Sequence, residues 1–336
     1  MNIKLFIIIF CVGLLLFYIK RKEPFSNVSR APKVKFPFRN IQDQNGINLN
    51  MIALGAPFRS DKHKKLFLKY KKMGFPIIGV TSYQGFPGSI NNPYEDKYYK
   101  NHNDDYLKMC KAWCYCFKDS SLFKGKPSLE ISESDFTNPK WYSLNGKKKY
   151  DFIYVCLDDK QKNCNKGWQS YNRNWKLAKK LIPIMCNKYK LKGIIVGRTN
   201  CELEKQCNGN LEVKPFQKYW TFIRVLKSCR FLFLPNVYDA SPRILSEALA
   251  CDLPAIVNKN ILGGWKYIND KTGIFFNNEE DFEKSLRVLL KNLKSYKPRE
   301  WFGANYGPEN SGKRLKKFLK GIYPDLIESK YVKFAI

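Results

Sequence analysis

The sequence has 336 residues, 44% of them hydrophobic, so it can bury a core and form two domains of ordinary size rather than stay disordered. Its 60 basic and 29 acidic residues give a net charge of +31, which attracts anions such as a nucleotide diphosphate or a membrane surface. The basic residues are spread along the chain without a zinc finger, an RNP signature or a basic heptad region, which disfavours a nucleic-acid partner, and the 11 irregularly spaced cysteines disfavour a disulfide scaffold.

An apolar run from Leu5 to Ile19 lies at the start of the chain and is followed by Lys20-Arg21-Lys22. A helix of this length spans roughly 22 Å, less than a hydrocarbon core of about 30 Å, but flanking lysines can snorkel to the interface. The rival interpretation, a cleaved signal peptide, lacks the small residues of a cleavage site. The sequence therefore predicts a single-pass membrane anchor over residues 1–22 and a stem or linker over residues 23–47. The basic flank slightly favours a cytosolic over a lumenal catalytic domain.

A strand–helix–strand pattern follows the predicted stem. The apolar run Asn48–Gly55 and a buried strand at Pro76–Val80 flank a lysine-rich helical stretch, and this order of strand, helix and strand is typical of an α/β domain. We predict a small N-terminal domain over residues 48–149. Within it, the carboxylates between Glu130 and Asp135 could supply a general base, although such a cluster is more often a solvated loop or a helix start.

Three closely spaced cysteines, Cys110, Cys114 and Cys116, follow His102 in the same domain. A zinc ion could bind such ligands, but no second cysteine pair follows at the spacing of a finger or a ribbon. Buried reduced thiols are therefore the favoured interpretation, and we predict no bound metal.

Four apolar segments in the second half of the chain have the composition of strands that are buried on both faces. They are Tyr150–Cys156, Lys192–Gly197, Arg230–Pro235 and Leu253–Val257, and a helix is predicted at Asn174–Met185. Such strands predict a parallel, doubly wound sheet, in which ligands bind beyond the carboxyl ends of the strands.

The residues after the third of these strands are suited to a helix start that binds an anion. Ser241 is predicted as the N-cap and Pro242 as the first helical residue, and Arg243 and Glu247 follow four residues apart on one face. Free backbone N–H groups, the helix dipole and Arg243 could together bind a diphosphate, while Glu247 could accept hydrogen bonds from ribose hydroxyls. The alternative is an amphipathic helix with an Arg–Glu pair on its surface.

Several short motifs follow one another between Phe231 and Phe276. They are, in chain order, Leu234-Pro235, Asp239, Ser241-Pro242-Arg243, Glu247-Ala248-Leu249-Ala250, Pro254-Ala255-Ile256-Val257, Gly263-Gly264 and Asp270-Lys271-Thr272-Gly273. The series resembles the donor-binding signature of GT-B glycosyltransferases of the group 1 retaining family. Asp239 and Glu247 match the two acidic positions of that family's E-x7-E motif, with Asp in place of the first Glu. Upstream, Val213-Lys214-Pro215-Phe216 falls where the family has a strand and loop that contact the base.

The resemblance implies a role for each matching residue. Glu247 would bind the ribose, Asp239 would lie near the transferred sugar, and the backbone amides of Ala240 to Arg243 would hold the hexose and the diphosphate. The family also neutralises the leaving diphosphate with an Arg and a Lys, but its usual Gly-Arg after the first strand is replaced here by Leu157-Asp158.

The nearest candidates for those cations are Lys166, Arg173 and Arg198. The predicted catalytic residues are accordingly Asp239, Arg173 and Lys166. The predicted donor-binding residues are Gly197, Arg198, Lys214, Ala240, Ser241, Pro242, Arg243, Glu247, Gly263 and Gly264.

The resemblance and the patterns together predict a GT-B-like α/β fold, with two Rossmann-like domains of parallel sheets, the N-terminal one reduced, and an N-terminal transmembrane helix. The resemblance implies that the reduced N-terminal domain, residues 48–149, is the acceptor domain, and the nucleotide-sugar-binding domain is predicted over residues 150–300. Residues 301–336 are predicted as a basic helix and tail that either cross back to the N-terminal domain or lie on a membrane surface.

The predicted function is that of a membrane-anchored, retaining glycosyltransferase that acts without a metal. It would move a sugar from a nucleotide-diphosphate sugar to a glycan, a glycolipid or other lipid-linked acceptor, or a glycoprotein. The alternative is a non-catalytic nucleotide-sugar-binding or glycan-binding protein with a degenerate GT-B fold. The altered first acidic position and the reduced N-terminal domain favour that alternative.

Overall fold

Two six-stranded sheets form the framework of the protein. The structure is a computed structural model that describes residues 30–81, 85–88, 104–142, 146–159 and 167–335. Each sheet is the centre of one α/β domain, and the last strand of the chain joins the sheet of the first domain. The candidate site lies where the two domains meet.

The N-terminal domain has a mixed sheet. Its own strands are β1 (Phe38–Asp43), β2 (Asn48–Leu54), β3 (Ile77–Val80), β4 (Trp113–Tyr115) and β5 (Ser128–Glu130), and its helices are α1 (Asp61–Lys72) and α2 (Tyr106–Met109). Strands β2 to β5 run parallel to one another, whereas β1 is antiparallel to β2. The prediction of a parallel sheet is therefore wrong at the β1 edge of this domain.

The turn between β1 and β2 explains the antiparallel edge. The Asp43 carboxylate accepts hydrogen bonds from the backbone amides of Asn45 (2.8 Å) and Ile47 (2.9 Å), and Gly46 has a φ of 82°. These contacts close a tight turn, and strands joined by a tight turn pair antiparallel. Apolar side chains of β1 are buried in the domain core, so the prediction that residues 23–47 form a stem is wrong for this strand.

The C-terminal domain has a wholly parallel sheet, as predicted. Its strands are β6 (Tyr150–Val155), β7 (Gly193–Val196), β8 (Leu211–Lys214), β9 (Cys229–Leu234), β10 (Ala255–Asn258) and β11 (Gly273–Phe276), in the spatial order β11-β10-β9-β6-β7-β8. Its helices are α3 (Trp168–Asn172), α4 (Trp175–Pro183), α5 (Tyr219–Lys227), α6 (Arg243–Ala250) and α7 (Glu279–Asn292). Apolar clusters cover both faces of the sheet, which is why its strands are apolar on both sides.

The end of the chain packs on the N-terminal domain. After α8 (Pro298–Asn305), helix α9 (Gly307–Ile322) buries Leu315 and Leu319 in the core of that domain, and β12 (Val332–Phe334) pairs antiparallel with β1. The Ser311 hydroxyl of α9 also donates a 2.8 Å hydrogen bond to the backbone oxygen of Asp135. The apolar face of this basic helix is thus covered by protein.

The transmembrane part of the predicted fold needs correction. The predicted anchor, residues 1–22, lies outside the described residues. Within the part of the chain that is described, we find no helix whose length and apolar character would let it cross a bilayer. The predicted transmembrane helix, and with it the predicted membrane-anchored, single-pass localisation, is not supported by this finding.

Candidate active site

Helix α6 begins at the carboxyl edge of the parallel sheet, where ligands of such sheets bind. Its first residue is Arg243, and Pro242 is the N-cap, with φ −69° and ψ 88°. The prediction that Ser241 caps the helix is wrong, because its hydroxyl forms a 2.9 Å hydrogen bond with Ser134 of the N-terminal domain instead. Among the described residues no side chain caps α6, so N–H groups at its start can donate hydrogen bonds to an anion.

Asp239 precedes this helix and is buried, with a relative exposure of 7%. Its carboxylate accepts hydrogen bonds from the guanidinium of Arg173, with which it forms an ion pair, and from the side-chain amide of Asn236 at 3.0 Å. The structure therefore brings together two of the three predicted catalytic residues. Lys166, the third, lies outside the described residues.

Local contacts fix the position of Arg173, which is the residue after helix α3. Its backbone oxygen accepts a 3.0 Å hydrogen bond from the hydroxyl of Tyr154 on β6. The next residue, Asn174, adopts a left-handed conformation with φ 52°, and its side chain donates to the Pro235 oxygen at 3.1 Å. The turn between α3 and α4 is thus tied to the ends of β6 and β9, which directs Arg173 toward Asp239.

Glu247, one turn into α6, is also buried, with a relative exposure of 5%. Burial raises the pKa of Glu247 to about 7, and a hydrogen bond from Tyr219 and the charge of Arg243 only partly oppose the shift. Tyr219 is in turn hydrogen-bonded to Tyr142, with 2.6 Å between the two hydroxyl oxygens. Glu247 is therefore a carboxylate in an apolar setting whose hydrogen-bond partner, the phenol of Tyr219, a ribose hydroxyl could replace.

Arg243 and Glu247 do not form the surface ion pair that was the alternative interpretation of this helix. Arg243 forms an ion pair with Glu133 of the N-terminal domain, at 3.4 Å, and Glu133 also pairs with Arg39 of β1. The Arg243 side chain remains 55% exposed, so its guanidinium can reach a ligand at the start of α6.

The predicted glycine pair lies against this helix start. The Gly263 amide donates to the backbone oxygen of Asp239 at 3.0 Å, and a Cβ atom on Gly263 would lie 1.7 Å from the backbone oxygen of Ala240. Gly264 has a φ of +75°, and a Cβ atom there would lie 2.6 Å from Pro242. Glycine is required at both positions because the loop and the start of α6 are in backbone contact.

The remaining predicted residues lie at neighbouring strand ends. Arg198 follows β7, and its buried guanidinium pairs with Asp159 at 3.1 Å and stacks near the Trp175 ring, 5.3 Å from its centroid. Gly197 has a φ of 98° at the turn before it. Lys214, at the end of β8, pairs with Glu212 at 3.1 Å. In this structure Arg198 thus supports the edge of the sheet, and Lys214 has a surface partner.

Four tyrosines beside the site were not predicted from the sequence. Tyr142 and Tyr219 adjoin Glu247, while Tyr171 and Tyr238 stack with ring centroids 4.0 Å apart and an interplanar angle of 11°, next to Arg173 and Asp239 in the chain. Tyr238 could have been found because it follows a predicted strand at its carboxyl end. Tyr142 lies in the segment between the domains, where no pattern in the sequence marks it.

A cavity of 600 Å³ lies between the two domains. Lys118 and Leu122 line it from the N-terminal domain, and Lys259 and Leu262 line it from the C-terminal domain. The Lys118 amide donates to the Leu262 oxygen at 3.1 Å, so the domains are joined by a backbone hydrogen bond at the cavity wall. The cavity has the size of a small-molecule site.

The cysteines considered as zinc ligands are buried. Burial raises the pKa of Cys110 and of Cys116 to about 12, and that of Cys114 is raised as well, so all three are protonated thiols at neutral pH. His102 lies outside the described residues. Within the described ranges no group of three or more His, Cys, Asp or Glu side chains is arranged to hold a metal ion.

Comparison with protein families identifies the C-terminal domain. Residues 146–305 match the family described as glycosyl transferases group 1. The group 1 glycosyltransferase family inferred from the motifs between Phe231 and Phe276 is thereby confirmed for these residues. No curated protein matches the sequence.

Solved structures share the fold. The chain is similar to TarM, with 14% identity and a TM-score of 0.57 over 77% of this chain and 53% of that one. It is also similar to the pneumococcal O-GlcNAc transferase GtfA in complex with UDP and GlcNAc, with 13% identity and a TM-score of 0.53 over 80% of this chain and 56% of that one. It is also similar to a sucrose-phosphate synthase from Thermosynechococcus elongatus, with 12% identity and a TM-score of 0.54 over 79% of this chain and 77% of that one. The chain spans about half the length of the first two. These likenesses support the GT-B-like arrangement of two α/β domains.

Proposed function

Residues 146–305 are a group 1 glycosyltransferase domain, and from this premise we propose that the protein transfers a sugar from a nucleotide-diphosphate sugar to an acceptor bound between its two domains. One observation carries the proposal: the Asp239–Arg173 ion pair lies at the uncapped start of α6, and Glu247 is buried one turn along the same helix. A cation, free amides and a buried carboxylate are the groups that a nucleotide diphosphate requires.

The donor would lie across the start of α6. The Glu247 carboxylate would accept hydrogen bonds from two ribose hydroxyls, taking the place of the Tyr219 phenol. The N–H groups of the first turn and the exposed guanidinium of Arg243 would bind the diphosphate. The sugar would then extend toward Asp239 and toward the segment around Gly263 and Gly264, which we call the glycine loop.

The chemical step requires positive charge at the leaving group. When the bond between the anomeric carbon and the diphosphate oxygen breaks, that oxygen gains negative charge, which Arg173 and Lys166 would stabilise. The oxygen of the acceptor hydroxyl forms the new bond to the anomeric carbon, and its proton passes to the leaving diphosphate. We propose retention of configuration, which the family resemblance implies. Because side-chain cations supply the charge, we propose no metal cofactor.

The acceptor would enter the cavity between the domains. Leu262 lines this cavity, and the next residue, Gly263, donates its amide hydrogen to the backbone oxygen of Asp239. An acceptor in the cavity would therefore lie beside the donor sugar. We propose a glycan or a lipid-linked glycan as acceptor.

A thermal-shift screen of nucleoside diphosphates and their sugars tests donor binding directly, because a ligand that binds the folded state raises the melting temperature. We expect one nucleotide class to stabilise the wild type, and the Glu247→Ala variant to lose most of that shift. Glu280→Ala, which removes an exposed carboxylate at the start of α7, is the matched control and should keep the shift.

Turnover is tested by hydrolysis of the stabilising nucleotide sugar without acceptor and by transfer to glycan acceptors. Release of the nucleoside diphosphate by the wild type but not by Glu247→Ala would support a transferase. Binding of nucleotide sugars with no turnover of any donor would contradict the enzyme and favour the non-catalytic binding protein.

A further inference from the structure

A buried ion cluster joins the two domains outside the donor site. Lys266 belongs to the C-terminal domain, and its side chain is only 8% exposed. Its ammonium nitrogen lies 2.7 Å from a carboxylate oxygen of Glu130 and 2.8 Å from one of Asp135, both in the N-terminal domain. The Asp135 side chain is fully buried, whereas that of Glu130 is 30% exposed.

Asp135 is the most densely hydrogen-bonded member of the cluster. The Asp135 carboxylate also accepts from the Ser132 amide at 3.0 Å and from the hydroxyl of the buried Tyr267. The Asp135 backbone oxygen accepts from Ser311 of α9, at 2.8 Å. Three parts of the fold therefore meet at Asp135: the segment after β5, the loop after β10, and α9.

Such a cluster is poorly explained by stability alone. Removing charges from water costs free energy that their attraction repays only in part, and replacing a buried ion pair by apolar residues is often neutral or stabilising. What a buried cluster of paired charges does provide is one defined geometry, because a displaced partner leaves an unpaired charge in the interior.

The geometry that Lys266 defines is that of the glycine loop. Lys266 lies two residues after Gly264, and on its other side the loop is bonded to the donor site, with Leu262 donating to the Val237 oxygen at 2.9 Å and Gly263 to the Asp239 oxygen at 3.0 Å. The loop is thus held between the N-terminal domain and the segment that carries Asp239.

We propose that Lys266 is a positioning residue that holds the two domains in the relative position that sugar transfer requires. The acceptor cavity and Asp239 are positioned by the same contact. The inference rests on the proposed function, but it concerns a residue that does not touch the donor. Its chemical basis is the pairing of one C-terminal ammonium group with two N-terminal carboxylates. Loss of the lysine should therefore impair transfer without weakening the binding of a nucleotide, which the C-terminal domain binds alone.

The test compares three variants with the wild type. Lys266→Met leaves the fully buried carboxylate of Asp135 without its cation, and Lys266→Met/Asp135→Asn removes that buried charge as well, which leaves only the 30% exposed Glu130 side chain without its partner. Lys266→Arg keeps a cation. Lys271→Met, an exposed lysine farther along the same segment, is the matched control.

We expect the double variant to regain thermal stability lost by Lys266→Met but not activity. Since a displacement of about 1 Å can cost about 100-fold in rate, kcat for transfer should fall by about that factor in both variants. Nucleoside diphosphate affinity should stay within about threefold of wild type, because the lysine has no contact with the donor. Lys266→Arg should recover part of kcat. A double variant with wild-type kcat and KM would show that the lysine is only structural and would overturn the inference.

Hydrogen exchange gives a readout that does not depend on turnover. In the double variant the amides of Leu262 and Gly263 should exchange faster, because the loop has lost its contact with the N-terminal domain. Unchanged exchange at these amides would also overturn the inference. A wild type that binds nucleotides but transfers no sugar would instead refute the proposed function, while the exchange result would still decide the role of Lys266.

Discussion

The two domains have sheets of equal strand number but are built from the chain in different ways. In the C-terminal domain the six strands follow one another between residues 150 and 276, all parallel and covered on both faces. In the N-terminal domain, β4 and β5 have three residues each, and the sheet is completed by β12 from the other end of the chain. One domain is assembled from contacts that are local in sequence, and the other depends on contacts between distant segments.

The donor and acceptor sides differ in the same way. The groups proposed to bind the donor lie mostly in one stretch, from Asn236 to Gly264, and are positioned by a strand end and a helix start. The acceptor cavity and the Lys266 cluster are formed by segments that are more than a hundred residues apart. A substitution on the donor side should therefore act locally, whereas one in the N-terminal domain should act through the arrangement of the whole chain.

The largest effect is expected for Arg173→Met, which tests the donor side alone. Loss of the cation that we propose to stabilise the leaving diphosphate should lower kcat by about 1,000-fold while nucleotide binding changes much less. Steady-state transfer and calorimetric nucleotide titration measure the two effects. Arg230→Met is the control, since Arg230 pairs with Asp151 at the amino end of β9, away from the site. A wild-type kcat for Arg173→Met would assign the leaving-group charge to another residue.

Phe334→Ala tests the distant strand of the N-terminal domain. Phe334 is 2% exposed and packs edge-on against Phe136, with ring centroids 5.5 Å apart. Truncating such a side chain should reduce the free energy of unfolding of this domain by about 3 kcal/mol. Urea unfolding followed by hydrogen exchange in β1 and β2 would measure it.

Lys333→Ala, on the opposite side of the same strand, is the control for Phe334→Ala. Nucleotide binding should persist in Phe334→Ala at low denaturant, because the donor residues belong to the other domain. If nucleotide binding were lost at the same urea concentration at which the N-terminal domain unfolds, the C-terminal domain would not be stable independently of the distant contacts of β12.

Gly263→Ala tests the contact between the glycine loop and the donor segment. The new methyl group would lie 1.7 Å from the Ala240 oxygen, so one of the two backbones must move. A shift of about 1 Å at Asp239 should lower kcat/KM by about 100-fold. Gly321→Ala, in α9 with open space around the new methyl group, should be tolerated. Equal kcat/KM for the two variants would show that the loop adapts without disturbing Asp239.

The difference between local and distant contacts also explains which features of the fold and of the candidate site could be predicted from the sequence. The strands of the C-terminal domain and the site at Asp239 and Glu247 could be predicted because apolar runs and short motifs mark them locally. The prediction of Ser241 as N-cap is wrong because its hydroxyl bonds to Ser134, a contact that exists only after the domains meet. The prediction of a stem is wrong for β1 because this strand is short and polar in part, and its partner β12 is almost 300 residues away. No pattern in the sequence predicts the role of Lys266, since its carboxylate partners lie more than a hundred residues away.

The pH dependence of nucleotide binding tests whether the Glu247 carboxylate itself binds the donor. With a pKa raised to about 7 by burial, Glu247 is largely protonated at pH 6 and ionised at pH 8. Ribose hydroxyls donate to the ionised form, so the affinity for a nucleotide sugar should rise about tenfold between these values and level off above them. Glu247→Gln should bind more weakly and show no rise. A nucleotide sugar is the appropriate probe because both of its phosphates are esterified and do not titrate in this range.

Stability of the ligand-free protein should change in the opposite direction. Because the pKa of Glu247 is higher in the folded than in the unfolded state, the folded protein binds more protons between pH 4.5 and 7, and its free energy of unfolding falls as pH rises through that window. Glu247→Gln should remove this slope and leave the rest of the profile intact. A saturating nucleotide sugar should oppose the fall by holding the ionised carboxylate. A wild-type binding curve that is flat from pH 6 to 8, although Glu247→Gln removes the stability slope, would show that this carboxylate does not bind the donor.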